Sequence, residues 1–310
     1  MKKLFTGFLI LSFCTALFAD GYKFSIEPFF GVRSGTLYEY AYSVLPNNSD
    51  YKLSQLEWHY NPAYLMGGTI TSDFGALEFS TTVLGMNHIR NGVLYDWDYE
   101  NYDGKPTKFS EHTAEITGSV EASGNLAFRF EFDEAFSVAP FASINYSQMR
   151  WDSYGGYTQY APGKGYWNKD LPKDYIDPLA KCISYQNTMW YPAAGVQVRT
   201  NFLNFISLQA GFSAAPCIFS NSVDQHWMRN LEIIDTMRRG YGFFGELKID
   251  VSFLRYHTIS IFANGQTIQN VKGKTEYRNI GDTGKGIPSG RGGAANTNYS
   301  FGFSYKLTID

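Results

Sequence analysis

Near the C-terminal end of the chain Tyr299, Phe301, Phe303, Tyr305 and Leu307 are large and apolar, while Ser300, Gly302, Ser304 and Lys306 between them are small or polar. A period of two puts successive side chains on opposite faces of a strand. Large apolar groups on one face and small polar groups on the other suit a strand with lipid outside and water inside. The pattern recurs at Ile206, Leu208, Ala210 and Phe212 against Ser207, Gln209, Gly211 and Ser213. It recurs at Ile259, Ile261 and Ala263 against Ser260, Asn264 and Gln266, and at Ala114, Ile116, Gly118, Val120 and Ala122 against Thr113, Glu115, Thr117, Ser119 and Glu121. A soluble β-sandwich also alternates, but it keeps its large residues on the dry face and rarely saves so many aromatics for strand ends. The expectation is a transmembrane β-barrel.

Turn signals divide the chain. Short ones stand at Ser72–Gly75, Asp133–Glu134, Thr200–Asn204 and Leu254–His257. Long polar segments occupy Ser43–Tyr51, Arg90–Lys108, Asp152–Lys181, Asn221–Asp235 and Tyr277–Asn296. Short and long connections alternate, as periplasmic turns and extracellular loops do in an even-stranded barrel. Four turns and five loops separate ten strands, so the predicted fold is all-β, a ten-stranded antiparallel transmembrane barrel with long extracellular loops.

Lys2 and Lys3 precede an apolar run, Leu4 to Phe18, that ends at Ala19-Asp20. That run is too short for a membrane helix and reads as a secretory signal over residues 1–19, which leaves residues 20–310 as the barrel. A lipoprotein reading at Cys14 fits poorly, because Phe13 precedes it. No later segment has eighteen consecutive apolar residues, so export with alternating strands points to an outer membrane. Of the three cysteines, Cys182 and Cys217 would remain after processing. In a hairpin turning near Thr200–Phe205 they fall out of line, so two independent wall cysteines are favoured over a disulfide.

Composition agrees with this picture. The 23 Tyr and 25 Phe supply the aromatics that two interfacial girdles need. Mean hydropathy is only −0.27, because half of each strand faces water. The formal charge is 26 − 29 = −3, or 24 − 29 = −5 without Lys2 and Lys3, so nucleic acid is not an expected partner.

Candidate chemistry sits in the long segments. Asp224-Gln225-His226 places a carboxylate two residues from an imidazole, and in extended backbone both project to one side. The carboxylate can then accept from one ring nitrogen and leave the other as a base toward water. Asp and His also meet by chance in exposed loops, so this pair alone is not specific. Parity counted from Ser207 and Gln209 sends even-numbered residues outward, so a bulge is required before Asp224, for which Pro216 is the natural place. Asp96-Trp97-Asp98 is a second acidic pair, able to orient a water molecule while sharing a proton. The ordinary fate of such acids is to solvate a loop.

Several segments carry a resemblance. Ser34-Gly35 followed by Glu39, Ser54-Gln-Leu-Glu-Trp58, Asp224-Gln-His226 and Asn270-Val-Lys-Gly-Lys-Thr275 occur in order along the chain and resemble the omptins, outer-membrane endoproteases with ten-stranded barrels. The resemblance implies that Asp224 and His226 form the family's dyad and that an Asp-x-Asp pair across the cleft positions the attacking water. Strand spacing assigns that pair to Asp96 and Asp98. Aligning on Trp97 instead would assign Leu94 and Asp96, since in the family Trp follows the second acid. Glu39 corresponds to an acid that receives Arg or Lys at P1. The family's second such acid corresponds to Ser222, which implies a weaker or absent basic preference.

Tyr146 and Arg150 resemble part of the family's lipid A motif, with Gln148 where an acid is usual and Thr188 where an Arg is usual. Lipopolysaccharide is thus an implied partner, through a reduced site, beside peptide or protein substrates. A lone Arg near the interface otherwise serves as a snorkelling anchor. No metal or cofactor is expected: His59, His88, His112 and His257 have no metal-like spacing, and there is no Gly-x-Ser-x-Gly or His-Glu-x-x-His. The expected function is an aspartic-type, omptin-like endopeptidase of the outer membrane, its site facing the exterior. The alternative is a catalytically weak relative serving as an adhesin or surface-binding barrel. A porin-like barrel ranks below both, because side chains fill a lumen of ten strands.

Overall fold

Backbone groups in a bilayer have no water to bond to, so a strand there must be paired on both sides and the sheet must close. The computed structural model, which describes residues 22–87 and 89–309, shows such a closure. The signal expected at 1–19, Cys14 and His88 lie outside the described residues. The strands are β1 (Lys23–Val44), β2 (Asp50–Phe74), β3 (Leu77–Met86), β4 (Ile89–Asp98), β5 (Lys108–Phe128), β6 (Phe130–Glu131) and β7 (Phe136–Tyr160). They continue as β8 (Asp174–Leu203), β9 (Ile206–Ala215), β10 (Phe219–His226), β11 (Leu231–Leu254), β12 (His257–Asn279) and β13 (Ile287–Ile309). β3 with β4, β5 with β6, and β9 with β10 each form one stave, so the thirteen segments make ten staves. Every pairing is antiparallel, and β1 against β13 closes the ring.

The short turns fall where the sequence places them. Gly75, at a φ of 83°, closes β2 to β3 while Asp73 accepts from its N–H at 2.8 Å. The long polar segments other than Ser43–Tyr51 differ from simple loops, since most of each is strand, as in β4, β10 and the start of β8. Above the membrane both faces of a strand meet water, so alternation lapses while the ladder of backbone hydrogen bonds continues. Strands of 25 and 30 residues at β2 and β8 far exceed the ~9–11 residues that a bilayer crossing needs.

On β13 Tyr299, Phe301, Phe303 and Tyr305 are exposed outward, and Ser300 and Ser304 are buried inward. The fourth alternating segment departs from expectation. The β5/β7 register shifts between Ile116 and Gly118, so Ala114 and Ile116 turn into the lumen whereas Val120 remains outside. A bulge inserts one residue and exchanges the two faces of everything beyond it.

The lumen is filled. Deep in it, Arg33 pairs with Glu121 and Lys248 with Glu27, and Ser260 donates to Asp250 at 2.6 Å. Nearer the long-hairpin rim lies a dry plug in which Trp58 stacks on Tyr185 with centroids 5.9 Å apart and meets Trp151 at 5.7 Å. Leu94, Leu56 and Ile116 complete it. This plug is the floor on which the functional cleft stands. Cys182 and Cys217 are both free thiols.

Candidate active site

The dyad is placed by an irregularity. β9 buries odd-numbered Ser207, Ser213 and Ala215, whereas β10 buries even-numbered Ser220, Ser222 and Asp224. The switch occurs at residues 216–218, between the two strands. Partners Ala194 and Trp190 on β8 are 194 − 190 = 4 residues apart, but Ala214 and Phe219 opposite them are 219 − 214 = 5 apart. Pro216 lacks the N–H for a ladder bond, which suits it to the extra residue.

β10 therefore turns Asp224 into the lumen. Its Oδ2 accepts from Nε2 of His226 at 2.7 Å. Because an ionised carboxylate only accepts, Nε2 carries the ring proton and Nδ1 keeps its lone pair. Asp224 pairs with Tyr185 in register, 190 − 185 = 5 residues beyond Trp190, whose exposed ring stacks on Phe219 at the girdle. Glu39 pairs with Ala294, 299 − 294 = 5 residues beyond Tyr299. The site thus stands above the membrane band.

β4 brings Asp96 and Asp98 to the facing wall, where both line the same cleft of about 350 Å³ as Glu39, Asp224, His226 and Asp235. Trp97 between them points the other way, onto Phe109 at 4.3 Å and Trp167 at 5.0 Å. Ser54 donates to Asp96 at 3.3 Å. Leu94 shares the inner face but is fully buried in the plug. The five acidic and imidazole residues singled out from the sequence, Glu39, Asp96, Asp98, Asp224 and His226, all line this cleft, whereas Ser222 is buried against Asp235 and does not line it.

The electrostatics are those of a crowded acidic cleft. Enclosure, and then the neighbouring Asp98, pushes Asp96 up to about 7, with His226 and Arg229 opposing. Asp98 is raised by the same enclosure, against Lys108 and Arg229. Glu39 is raised well above the carboxylate range by burial, then by Asp224 and Asp235. For His226 burial disfavours the imidazolium, yet the Asp224 carboxylate outweighs it and the pKa is raised.

The profile of the Omptin family matches residues 20–307. The chain belongs to the omptin family. Its fold is similar to that of the outer membrane protease OmpT from Escherichia coli, with a TM-score of 0.83, 17% identity, and 93% of this chain and 97% of that one covered. OprG from Pseudomonas aeruginosa, an outer membrane protein, aligns at 10% identity over 93% and 97% of the two chains with a TM-score of 0.36. No curated protein matches by sequence.

Sequence reasoning about this omptin missed Asp235 and Arg229. Asp235 stands opposite Ser222 across the β10/β11 hairpin and is 2% exposed. Burial pushes its carboxyl up to about 6, against the hydrogen bonds from Thr275 and Ser222. The pairing is legible only when the hairpin tip at Trp227–Arg229 is known, since a tip one residue away would face Asp235 elsewhere. Arg229 lines the cleft from that tip. On the outer wall of β7, Tyr146 pairs with Trp190 and Arg150 with Gln186, while Gln148 donates to Thr188 at 3.0 Å. Those residues form a group apart from the cleft.

Proposed function

We propose that this omptin is an outer-membrane endopeptidase whose cleft faces the cell exterior and hydrolyses surface peptides or proteins. The observation that carries the reading is the 2.7 Å bond from His226 Nε2 to Asp224, set in a cleft whose other wall presents Asp96 and Asp98. His226 Nδ1 takes a proton from a water molecule held by the acid pair, and the resulting hydroxide adds to the scissile carbonyl carbon. The imidazolium, stabilised by Asp224, then returns the proton to the leaving amine as the carbon–nitrogen bond breaks. Asp96, with a pKa near neutrality, keeps one proton in the pair and so spares two carboxylates from ionising side by side. The reading thus assigns the hydrolysis to carboxylates and an imidazole acting on one water molecule.

Glu39 is the acid that favours a basic P1 residue. On the outer wall Tyr146 and Arg150 are the residues that would meet a lipid A headgroup, and the hydroxyl of Thr188 in place of a cation weakens that contact. The test is cleavage of internally quenched peptides by the folded barrel with lipopolysaccharide, set against His226→Ala. Cleavage by the parent and its collapse in the variant support the reading. No cleavage by the parent would favour the surface-binding alternative.

A further inference from the structure

Three of the five carboxylates that line the cleft concern a cation, and in two of them one oxygen lacks a hydrogen bond. Glu39 is 5% exposed and Asp224 1% exposed, yet Glu39 Oε2 and Asp224 Oδ1 are each buried with no hydrogen bond. An unmet buried acceptor of this kind is costly unless a ligand supplies a donor. Arg229, the cleft's arginine, acts on Asp96 and Asp98 instead.

The third carboxylate is held rigidly. Ser222 Oγ donates to Asp235 Oδ2 at 3.0 Å and Thr275 Oγ1 donates to Oδ1 at 2.6 Å. Both donors stand directly opposite Asp235 on the flanking strands, Ser222 on β10 and Thr275 on β12. Room for the carboxylate is made by Gly292 on β13, where an added Cβ would lie 2.1 Å from Oδ1. Two hydroxyls and a missing side chain thus fix one acid beside two others that each keep one oxygen without a donor.

We propose that Asp235, oriented by Ser222 and Thr275, is a specificity-determining residue that with Glu39 forms a cation subsite for a substrate Lys or Arg side chain. The proposal rests on the peptidase reading and deepens it, because it moves the second acid of the subsite from position 222 to the adjacent strand. Ser222 then acts as the donor that aims the acid. A guanidinium or ammonium carries only donors, which is what Glu39 Oε2 and Asp224 Oδ1 lack. Burial, and then the neighbouring Asp224 and Asp235, raise the Glu39 carboxyl well above its usual range, so Glu39 holds a proton before a cation enters. The entering cation replaces that proton, so binding releases it. Among the described residues no group of three or more acids, histidines or cysteines is disposed to hold a metal ion.

The experiment compares the parent with Asp235→Asn, Ser222→Ala and Glu39→Gln, each first checked for folded, heat-modifiable mobility. One arm measures kcat/KM on peptides with Arg, Lys or norleucine at P1. The other measures calorimetric binding of butylguanidinium, which has no peptide bond, in two buffers of different ionisation enthalpy. Asp235→Asn should lower the Arg-over-norleucine ratio about tenfold or more, the usual worth of a hydrogen bond to a charged group. It should weaken butylguanidinium binding in parallel, with Ser222→Ala giving a smaller change of the same sign. An unchanged ratio together with unchanged binding in Asp235→Asn overturns the proposal. If the parent cleaves nothing but binds butylguanidinium through Asp235, the peptidase reading fails and the subsite stands. Cleavage that is indifferent both to the P1 charge and to Asp235 has the opposite meaning.

Discussion

Leu94 and Asp96 leave the same face of β4 two residues apart, and the boundary between the dry plug and the wet cleft runs between them. Leu94 is fully buried against the Trp58 cluster, whereas Asp96 lines the cleft with His226. An acid at position 94 would therefore be buried among aromatic rings rather than offered to water. Leu94→Asp should destabilise the barrel by several kcal/mol, as an unpaired buried charge does, and should not raise activity. Folded yield and turnover of the variant check this.

Asp96 and Asp98 both face the cleft, so each should matter to the attack on the peptide bond. Asp96→Asn and Asp98→Asn should each lower kcat, by ~10²-fold or more for the residue whose proton inventory is lost. Side-by-side turnover on an Arg peptide is the measurement. A silent Asp98→Asn would place the water on Asp96 alone.

The pH profile should carry the mark of Asp224. His226 acts as a base only when neutral, and its pKa is raised in the folded protein. Activity should consequently fall on the acid side through a limb that lies above the ordinary imidazole value of about 6.5. Asp224→Asn removes the carboxylate that raises the pKa, so the limb moves to lower pH. The rate also drops, because the ring loses its preferred tautomer. A limb lying in the carboxylate range in the parent would exclude His226 as the base.

Crowded acids that serve a site oppose the fold. Asp96 and Asp235 titrate higher in the folded state than in the unfolded chain, at about 7 and about 6. Their contribution to stability is complete below about pH 4, the unfolded carboxyl value. It is lost as pH rises through those folded values. Asp96→Asn and Asp235→Asn should thus stabilise the barrel at pH 8 by on the order of 1 kcal/mol each, with little effect at pH 4. The midpoint of heat-induced mobility change on gels, taken at both pH values, reads this.

The barrel itself is testable in detergent. Its far-ultraviolet spectrum should be that of β-structure, and unboiled samples should migrate apart from boiled ones. A helical spectrum would exclude the fold.

Much of the wall was readable from the chain, because the period of two is a local property. Phe301 faces out and Ser300 faces in simply because lipid lies on one side and water on the other, and Gly75 and Asp73 mark their turn by local chemistry. The dyad was readable for the same reason, since Asp224 and His226 are two residues apart on one strand. Parity fails where a bulge intervenes. Ala114 and Ile116 looked like Val120 in sequence and turned inward, whereas Pro216 betrayed its bulge by lacking an N–H.

Convergence of distant residues was decided only in three dimensions. Glu39, Asp96, Asp224 and Asp235 belong to four staves, and no local pattern reports that ring closure and strand register bring them to one cleft. Asp235 shows this most plainly. Its sequence neighbours Ile234 and Thr236 say nothing of a site, and its role comes from Ser222 and Thr275 across two ladders and from Gly292 on a third strand. The sequence by itself determined which faces meet lipid or water, because that follows from each residue and its next neighbours. The tertiary structure decided which charges face one another, because that depends on how ten staves are registered around a closed wall.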